Sequence, residues 1–271
     1  MTDSDFEKEV EDGIREINSA IVTHVLNYLK TDVFTNKTAE AYILAYSIVY
    51  KLADDEHDSS SKLFQYYNEK ITSFMTETCN MLHTESSDNL LEAFLKYTEK
   101  SKILIHWMRK VFSYLDKFYT INNKVGTLFE NALKNYYNNL FLPLKPRLIS
   151  ALNTLINNHR DGKVVEIMKI VRVIKIFRQV DLKEPILNKV GDDFEWSGNQ
   201  KKSHTGVLTD WFFNYFIKST EQYVSNKAKV EISALSAPEY VKSCLKYLKE
   251  EEDRKNFFIS KEFYQALDSV N

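Results

Sequence analysis

Glycine and proline are scarce in this 271-residue chain, at six and four residues. Tight hairpins and Gly-rich phosphate loops need residues that reach positive φ or fix a turn, and few positions here can supply them. Helices are therefore the default expectation. Only two cysteines occur, Cys79 and Cys244, far apart and each in an apolar helical register. That reads as reduced, packed thiols in an intracellular compartment and not as a disulfide framework. No charge dominates either: 36 basic residues face 38 acidic ones, for a formal charge of −2. Lys201-Lys202 is too short a basic run to give nucleic acid an electrostatic footprint. No window approaches ~18 uninterrupted apolar residues, so no membrane span is expected. The acidic opening Met1-Thr2-Asp3-Ser4-Asp5 lacks the basic and apolar regions of a secretory signal. Cytoplasm and nucleus are the expected compartments. What the chain has in abundance is apolar surface, 44% hydrophobic residues with 16 Tyr and 17 Phe. A chain of this length buries roughly 75% of its unfolded surface and needs no metal or disulfide to hold together.

Helical periods follow one another with short polar breaks. Phe6, Val10, Ile14, Ile17, Ile21 and Val25 recur at spacings of three and four and predict a helix from Asp5 to about Lys30. After the breaker Thr35-Asn36-Lys37-Thr38 comes a second helix over Ala41–Leu52, and the charged, serine-rich stretch Asp54 to Ser61 ends it. A third period starts at Lys62 with Leu63, Tyr66, Tyr67, Ile71, Phe74, Met75 and Met81. Leu90, Leu91, Phe94, Leu95 and Tyr97 give a fourth. The strongest period, Ile103 to Tyr119 through Trp107, Val111 and Leu115, predicts a fifth. The second half repeats this scheme more loosely. Val125 to Tyr136 predicts a helix broken near Pro143, Leu148 to His159 the next with Asp161-Gly162 as its stop signal, and Val164 to Val180 another. Pro185 to Gly206, with Gly191, Gly198 and Gly206, reads as the longest loop. A short aromatic helix follows over Val207, Leu208, Trp211, Phe212, Tyr215 and Phe216, then a long one from Pro238 to Ile259. Two groups of roughly five helices with no strand signal argue an all-α stack of the α-solenoid kind.

The helix over Ala41–Leu52 is the most informative segment, because it is apolar around too much of its circumference. Ala41, Leu44, Ala45, Ile48 and Leu52 form one stripe, and Tyr42, Ile43, Tyr46, Tyr50 and Ala53 form a second beside it; Glu40, Ser47 and Lys51 mark the polar side. One stripe suffices for a core. The surplus stripe either lies deep in the fold or meets another protein, and tyrosine rings with polar tips suit a partner surface.

Residues that carry chemistry are sparse. Asp54-Asp55-Glu56-His57-Asp58 matches the Asp-Asp-x-x-Asp pattern by which some helical isoprenoid synthases hold magnesium and a diphosphate, which would use Asp54, Asp55 and Asp58. That chemistry requires an opposing acidic set, and only Asp192-Asp193 echoes it. The run leads into Ser59-Ser60-Ser61, which reads as a solvated turn and helix cap. The six histidines never pair at i and i+4, so no zinc site is expected. Neither a Gly-x-Ser-x-Gly elbow nor a Gly-Lys-Thr phosphate loop is present. No catalytic residue, metal or cofactor is therefore expected.

Several segments resemble the N-terminal region of cullins, the scaffolds of multi-subunit ubiquitin ligases. Tyr42-Ile43-Leu44-Ala45-Tyr46-Ser47-Ile48-Val49-Tyr50 is similar to the family's Tyr-Met-x-Leu-Tyr-Thr-x-Val-Tyr. Phe112-Ser113-Tyr114-Leu115-Asp116-Lys117-Phe118-Tyr119 is similar to its Phe-x-Tyr-Leu-Asp-Arg-Tyr-Phe. Leu155-Ile156-Asn157-Asn158-His159-Arg160-Asp161-Gly162 resembles Leu-Ile-x-Lys-Glu-Arg-x-Gly, and Ala237-Pro238-Glu239-Tyr240-Val241-Lys242 resembles Cys-Pro-Asp-Tyr-Met-Lys. The matches fall in the family's order and span most of the chain. The resemblance implies an elongated stack of two five-helix cullin repeats, residues 1–122 and 123–259, with 260–271 beginning a third or forming a frayed tail.

It also implies a non-catalytic scaffold whose second and fifth helices receive a BTB-fold adaptor, most like the type serving F-box ligases. Carried over, the contacts are Tyr42, Ile43, Tyr46 and Tyr50 on the second helix and Lys110, Tyr114 and Lys117 on the fifth. The F-box protein itself is a further candidate partner. Ile43 replaces the usual Met, and Tyr97 and Lys100 stand near places where the family often has Trp and His, so the choice of adaptor stays open. The domain that recruits a RING subunit and receives a ubiquitin-like modifier has no counterpart here, so adaptor binding without ligase assembly is expected. A helical-repeat tethering or trafficking subunit is the alternative.

Overall fold

The computed structural model describes residues 3–32, 38–53, 59–190, 193–199 and 212–258. Asp54, Asp55 and Asp58 lie outside them, as do the aromatic stretch 207–211 and the tail 260–271. The first apolar period forms α1 (Asp3–Ile17) and α2 (Thr23–Thr31), joined without a break by a π-helical turn at Asn18–Val22. The wider turn lets the adjacent Ile21 and Val22 both face inward along with Ile17 and Val25. At its end Asp32 adopts a left-handed conformation (φ 57°). Its carboxylate takes Lys100 at 2.8 Å and Lys96 at 3.2 Å. The hydrogen bond from Lys100, then that from Lys96, holds this carboxyl below the usual carboxylate range.

The double-striped segment is α3 (Thr38–Leu52), and its buried line is Ala45, Val49 and Leu52. This differs from the stripe expected from spacing: Leu44 is 44% exposed and Val49 is fully buried. The cause lies on α1. A Cβ added to Gly13 would run into Leu52 Cδ1 and come within 3.1 Å of Ile48 Cγ2, so α3 docks where α1 carries no side chain.

Helix α4 (Ser59–Thr84) starts earlier than its apolar period, because Ser59 and Ser60 are buried and the Ser59 hydroxyl donates to the Leu52 carbonyl. Where a solvated turn was expected, Ser59 instead clasps α3 to α4. The fourth and fifth periods are one 25-residue helix, α5 (Ser87–Val111). The stretch Thr98 to Lys102 looks like a polar break, yet Thr98, Lys100, Ser101 and Lys102 are all buried. Each has a partner: Thr98 shares a hydrogen bond with the Tyr136 hydroxyl at 2.8 Å, Ser101 donates to the Tyr97 carbonyl, and Lys102 pairs with Glu99. The strongest period then breaks at Phe112 and Phe118 into the short helices α6 (Ser113–Lys117) and α7 (Tyr119–Asn122).

Past a Thr127–Glu130 capping box, α8 (Leu128–Tyr136) continues through a second π-helical turn, Tyr137–Phe141, into α9 (Leu142–Arg160). The break expected at Pro143 does not occur. The widened turn falls immediately before Pro143, where a regular helix would set the ring against the carbonyl of Asn139. α9 stops as expected: Gly162 has φ 76°, and Lys163 and Gly162 donate to the Asn158 and His159 carbonyls in a Schellman closure. Next comes α10 (Ile167–Val180), with Ile170, Val173, Ile174 and Phe177 buried.

Where the longest loop was expected, β1 (Lys183–Val190) and β2 (Asp193–Asn199) form a two-stranded sheet. Leu187, Phe194 and Trp196 are its buried side chains. α11 (Asn214–Ala234) is a 21-residue helix and not the short one expected, and α12 (Ala237–Phe258) begins beside Ser236, whose N–H donates to Glu239 Oε2 at 3.0 Å. On α12, Val241, Leu245 and Leu248 are each more than half exposed.

Packing divides the chain into two compact units. One comprises Met1–Glu85, Lys96–Leu144 and Pro185–Trp196; the other comprises Ser86–Leu95, Lys145–Glu184 and Ser197–Asn271. The first centres on Tyr67, Phe112, Phe129, Tyr136 and Phe141, all fully or nearly fully buried. In the second, the wholly buried Arg160 side chain makes a two-pronged pair with Glu251 at 2.9 and 3.2 Å and donates to Asn157 and Thr220. That satisfies a buried guanidinium as its desolvation demands. Both cysteines are free thiols, Cys79 buried and Cys244 partly so, and burial pushes the Cys79 thiol up.

Gly13→Val should lower the stability of the chain by about 2 kcal/mol, the scale of overpacking a tight helix contact. Gly13→Ala should cost less, since a helical Ala recovers about 1 kcal/mol of propensity. Urea denaturation of the three proteins reads both effects; a Val variant as stable as wild type would refute the close α1–α3 approach.

Candidate partner-docking surface

Short helices do not stand alone, so α6 is held by what it buries and bonds. Leu115 is buried, and Asp116 Oδ1 accepts the Leu128 N–H at 2.7 Å, one of the donors that the start of α8 leaves without a helical partner. Burial pushes the Asp116 carboxyl above the usual carboxylate range, against the pull of that N–H and of Arg109. The Tyr67 hydroxyl, fully buried on α4, donates to the Leu128 carbonyl at 2.9 Å. α6 is thereby fixed with Tyr114 turned toward α3.

The outcome is an edge-on contact between Tyr50 of α3 and Tyr114 of α6, with ring centres 4.9 Å apart. Tyr114 also lies against Phe118 at 5.0 Å, and Tyr42 against Tyr46 at 6.1 Å. Ile43 is 61% exposed and Tyr50 58%, while Tyr42, Tyr46 and Tyr114 are half-buried. Lys110 and Lys117 are exposed, and the Lys110 ammonium sits 5.4 Å over the Trp107 ring. The structure therefore brings Tyr50 and Tyr114 together from separate helices, and Tyr42, Ile43 and Tyr46 share α3 with Tyr50.

Leu44, Phe118 and Ile121 join the exposed apolar set, at 44%, 48% and 66%. Sequence reasoning missed them. Phe118 falls on the core side of the strongest period, and only the break in the helix at Phe118 itself turns it outward. Paired rings of this kind add about 1 kcal/mol each beyond area burial, and an exposed apolar patch marks an interaction site.

Beside the strip, His106 is sandwiched between Phe194 of β2, 4.2 Å away, and Trp107, 5.9 Å away. Burial first, then the positive charges of Lys110, Arg109 and Lys189, push its pKa down to about 4.

Elsewhere the chemistry is thin. A polar cleft of about 700 Å³ in the second unit holds Arg160 and Arg254, but both are paired with carboxylates. Among the described residues no group of three or more His, Cys, Asp or Glu is placed to hold a metal ion, and no helix is long and apolar enough to cross a membrane.

Residues 9–270 match the cullin family, described as the cullin alpha solenoid domain. The chain is 23% identical over 177 residues to Cullin-1 of Oryza sativa subsp. japonica, covering 64% of this chain and 24% of that protein. It is 23% identical over 211 residues to putative cullin-like protein 2 of Arabidopsis thaliana, covering 76% and 51%. With Cullin-3A of Arabidopsis thaliana it shares 22% over 233 residues, covering 85% and 28%. The chain thus spans about a quarter to a half of the length of these relatives.

An unfolded chain protonates histidine near pH ~6.5. Between there and about 4 the unfolded state binds the extra proton, so His106 should make stability fall as pH drops through that window. His106→Phe should remove that part of the slope when denaturation midpoints are compared from pH 7 to 4. Superimposable pH profiles for the two proteins would count against it.

Proposed function

Because the chain belongs to the cullin family, we propose that it is a non-catalytic scaffold segment of a cullin-RING ubiquitin ligase of cytoplasm and nucleus. In this reading the exposed strip formed by Tyr42, Ile43, Tyr46 and Tyr50 of α3, with Tyr114, Lys110 and Lys117, receives a BTB-fold adaptor of the F-box class. The division into repeats at 122 and 123, and recruitment of the RING subunit by a part of the assembly other than this segment, belong to the same proposal.

The observation that supports it most is the Tyr50–Tyr114 contact, which fuses apolar surface from two helices into one patch while leaving Tyr50 more than half exposed. A lone core tyrosine would be covered. Phe118, 48% exposed and packed against Tyr114, widens the patch toward what a stable interface of about 1,600 Å² needs on each side.

Tyr50→Ala should weaken adaptor binding by about 2 kcal/mol, roughly thirty-fold, while melting within a degree or two of wild type. Titration calorimetry with a purified BTB-fold adaptor measures the first and thermal unfolding the second. Unchanged affinity would refute the site. Affinity capture that recovers membrane-tether proteins and no BTB-fold protein would favour the tethering alternative.

A further inference from the structure

Around the aromatic strip, lysines outnumber the carboxylates left unpaired among the described residues: Glu40 on α3 is exposed, and three lysines face solvent. Lys110, Lys117 and, on β1, Lys189 are exposed, and none of the three forms an ion pair among the described residues. Some other lysines of the same unit are matched, Lys51 with Glu9 at 2.7 Å, Lys100 with Asp32 at 2.8 Å and Lys102 with Glu99 at 2.8 Å, while Lys8, Lys70, Lys124 and Lys134 likewise form no ion pair among the described residues. Asp116, between Tyr114 and Lys117 in sequence, does not offset them, because its carboxylate is turned onto the Leu128 N–H. In a chain of net charge −2 this is a local excess of the opposite sign.

The hairpin lies beside the strip. Phe194 packs on His106, His106 on Trp107, and Lys110 stands over Trp107, a continuous series of contacts from β2 to the last turn of α5. Lys189 has the same strand parity as Leu187, the buried side chain of β1, and so leans to the side that faces α5. Its positive charge is felt at His106 together with those of Lys110 and Arg109.

We propose that the docking surface continues onto the β1–β2 hairpin and is rimmed by Lys110, Lys117 and Lys189, so that it selects a partner whose apolar contact ridge is bordered by carboxylates. The proposal rests on the docking reading above and adds the hairpin and the sign of the partner's charge. Unpaired lysines at a rim act on encounter more than on residence: they draw an acidic surface in and are screened by salt, while the buried rings govern release.

The test is the association kinetics of the full chain with a purified BTB-fold adaptor at ~20 mM and ~500 mM salt. Lys189→Glu alone should slow association several-fold at low salt, and K110E/K117E/K189E about tenfold or more. Both differences should close at high salt, with dissociation rates near wild type. Tyr50→Ala should show the reverse pattern, faster dissociation at an unchanged association rate. If Lys189→Glu associates like wild type while K110E/K117E is slow, the hairpin is not part of the surface. If no lysine variant changes association but Tyr50→Ala still weakens binding, the acidic-partner inference fails and the docking site stands. Indifference to tyrosine and lysine changes alike would remove the site itself.

Discussion

The backbone of one residue, Leu128, is gripped from both sides: its N–H by the Asp116 carboxylate and its carbonyl by the buried Tyr67 hydroxyl. Three helices meet there, α4 through Tyr67, α6 through Asp116 and α8 through its first residue. Without that junction α6 is a five-residue helix with no means of its own to persist. With it, Tyr114 is held against Tyr50 and the exposed strip has a fixed floor. The exposed patch is thus a rigid consequence of hydrogen bonds made underneath it, which in the proposed docking limits the ordering entropy that binding must overcome.

The same logic accounts for residues of the family-like segments that touch no docking surface. Asp116 caps α8, Arg160 ties α9 to α11 and α12 through Thr220 and Glu251, and Gly162 closes α9 in a left-handed conformation that other residues adopt only with strain. Rings from Phe216 and Tyr223 lie under the Arg160 guanidinium at 5.5 and 5.2 Å, so its burial is satisfied on every side. These positions are architectural. The tyrosines of α3 are the exception, since Tyr50 is more than half exposed.

Most helices were legible because their apolar positions recur at 3.6-residue spacing, and the stop at Gly162 because glycine is the residue that a Schellman closure favours. The surplus stripe on α3 was legible for the same reason. Errors arose where side chains contradicted their usual surroundings. Thr98 to Lys102 read as a break because polar residues are normally solvated, yet each here has a partner inside the fold. The rotation of α3 could not be read at all, since it depends on the absence of a side chain on another helix. The hairpin did leave a signal in the sequence: the dipeptide Gly191-Asp192 is of a type that turns favour, and Phe194 alternates with Trp196. It was overlooked because sparse glycine had set the expectation to helix.

Gly13 has no atoms to offer a partner, yet it decides which sides of α3 are seen from outside. A helix seated on a bare spot of its neighbour has its azimuth dictated by that vacancy, and turning it would change how far apolar side chains such as Leu44 stand out at the surface. Recognition in such an arrangement can be retuned from behind, by bulk introduced at a site no ligand reaches, so drift in binding preference need not leave any mark among the contact residues themselves.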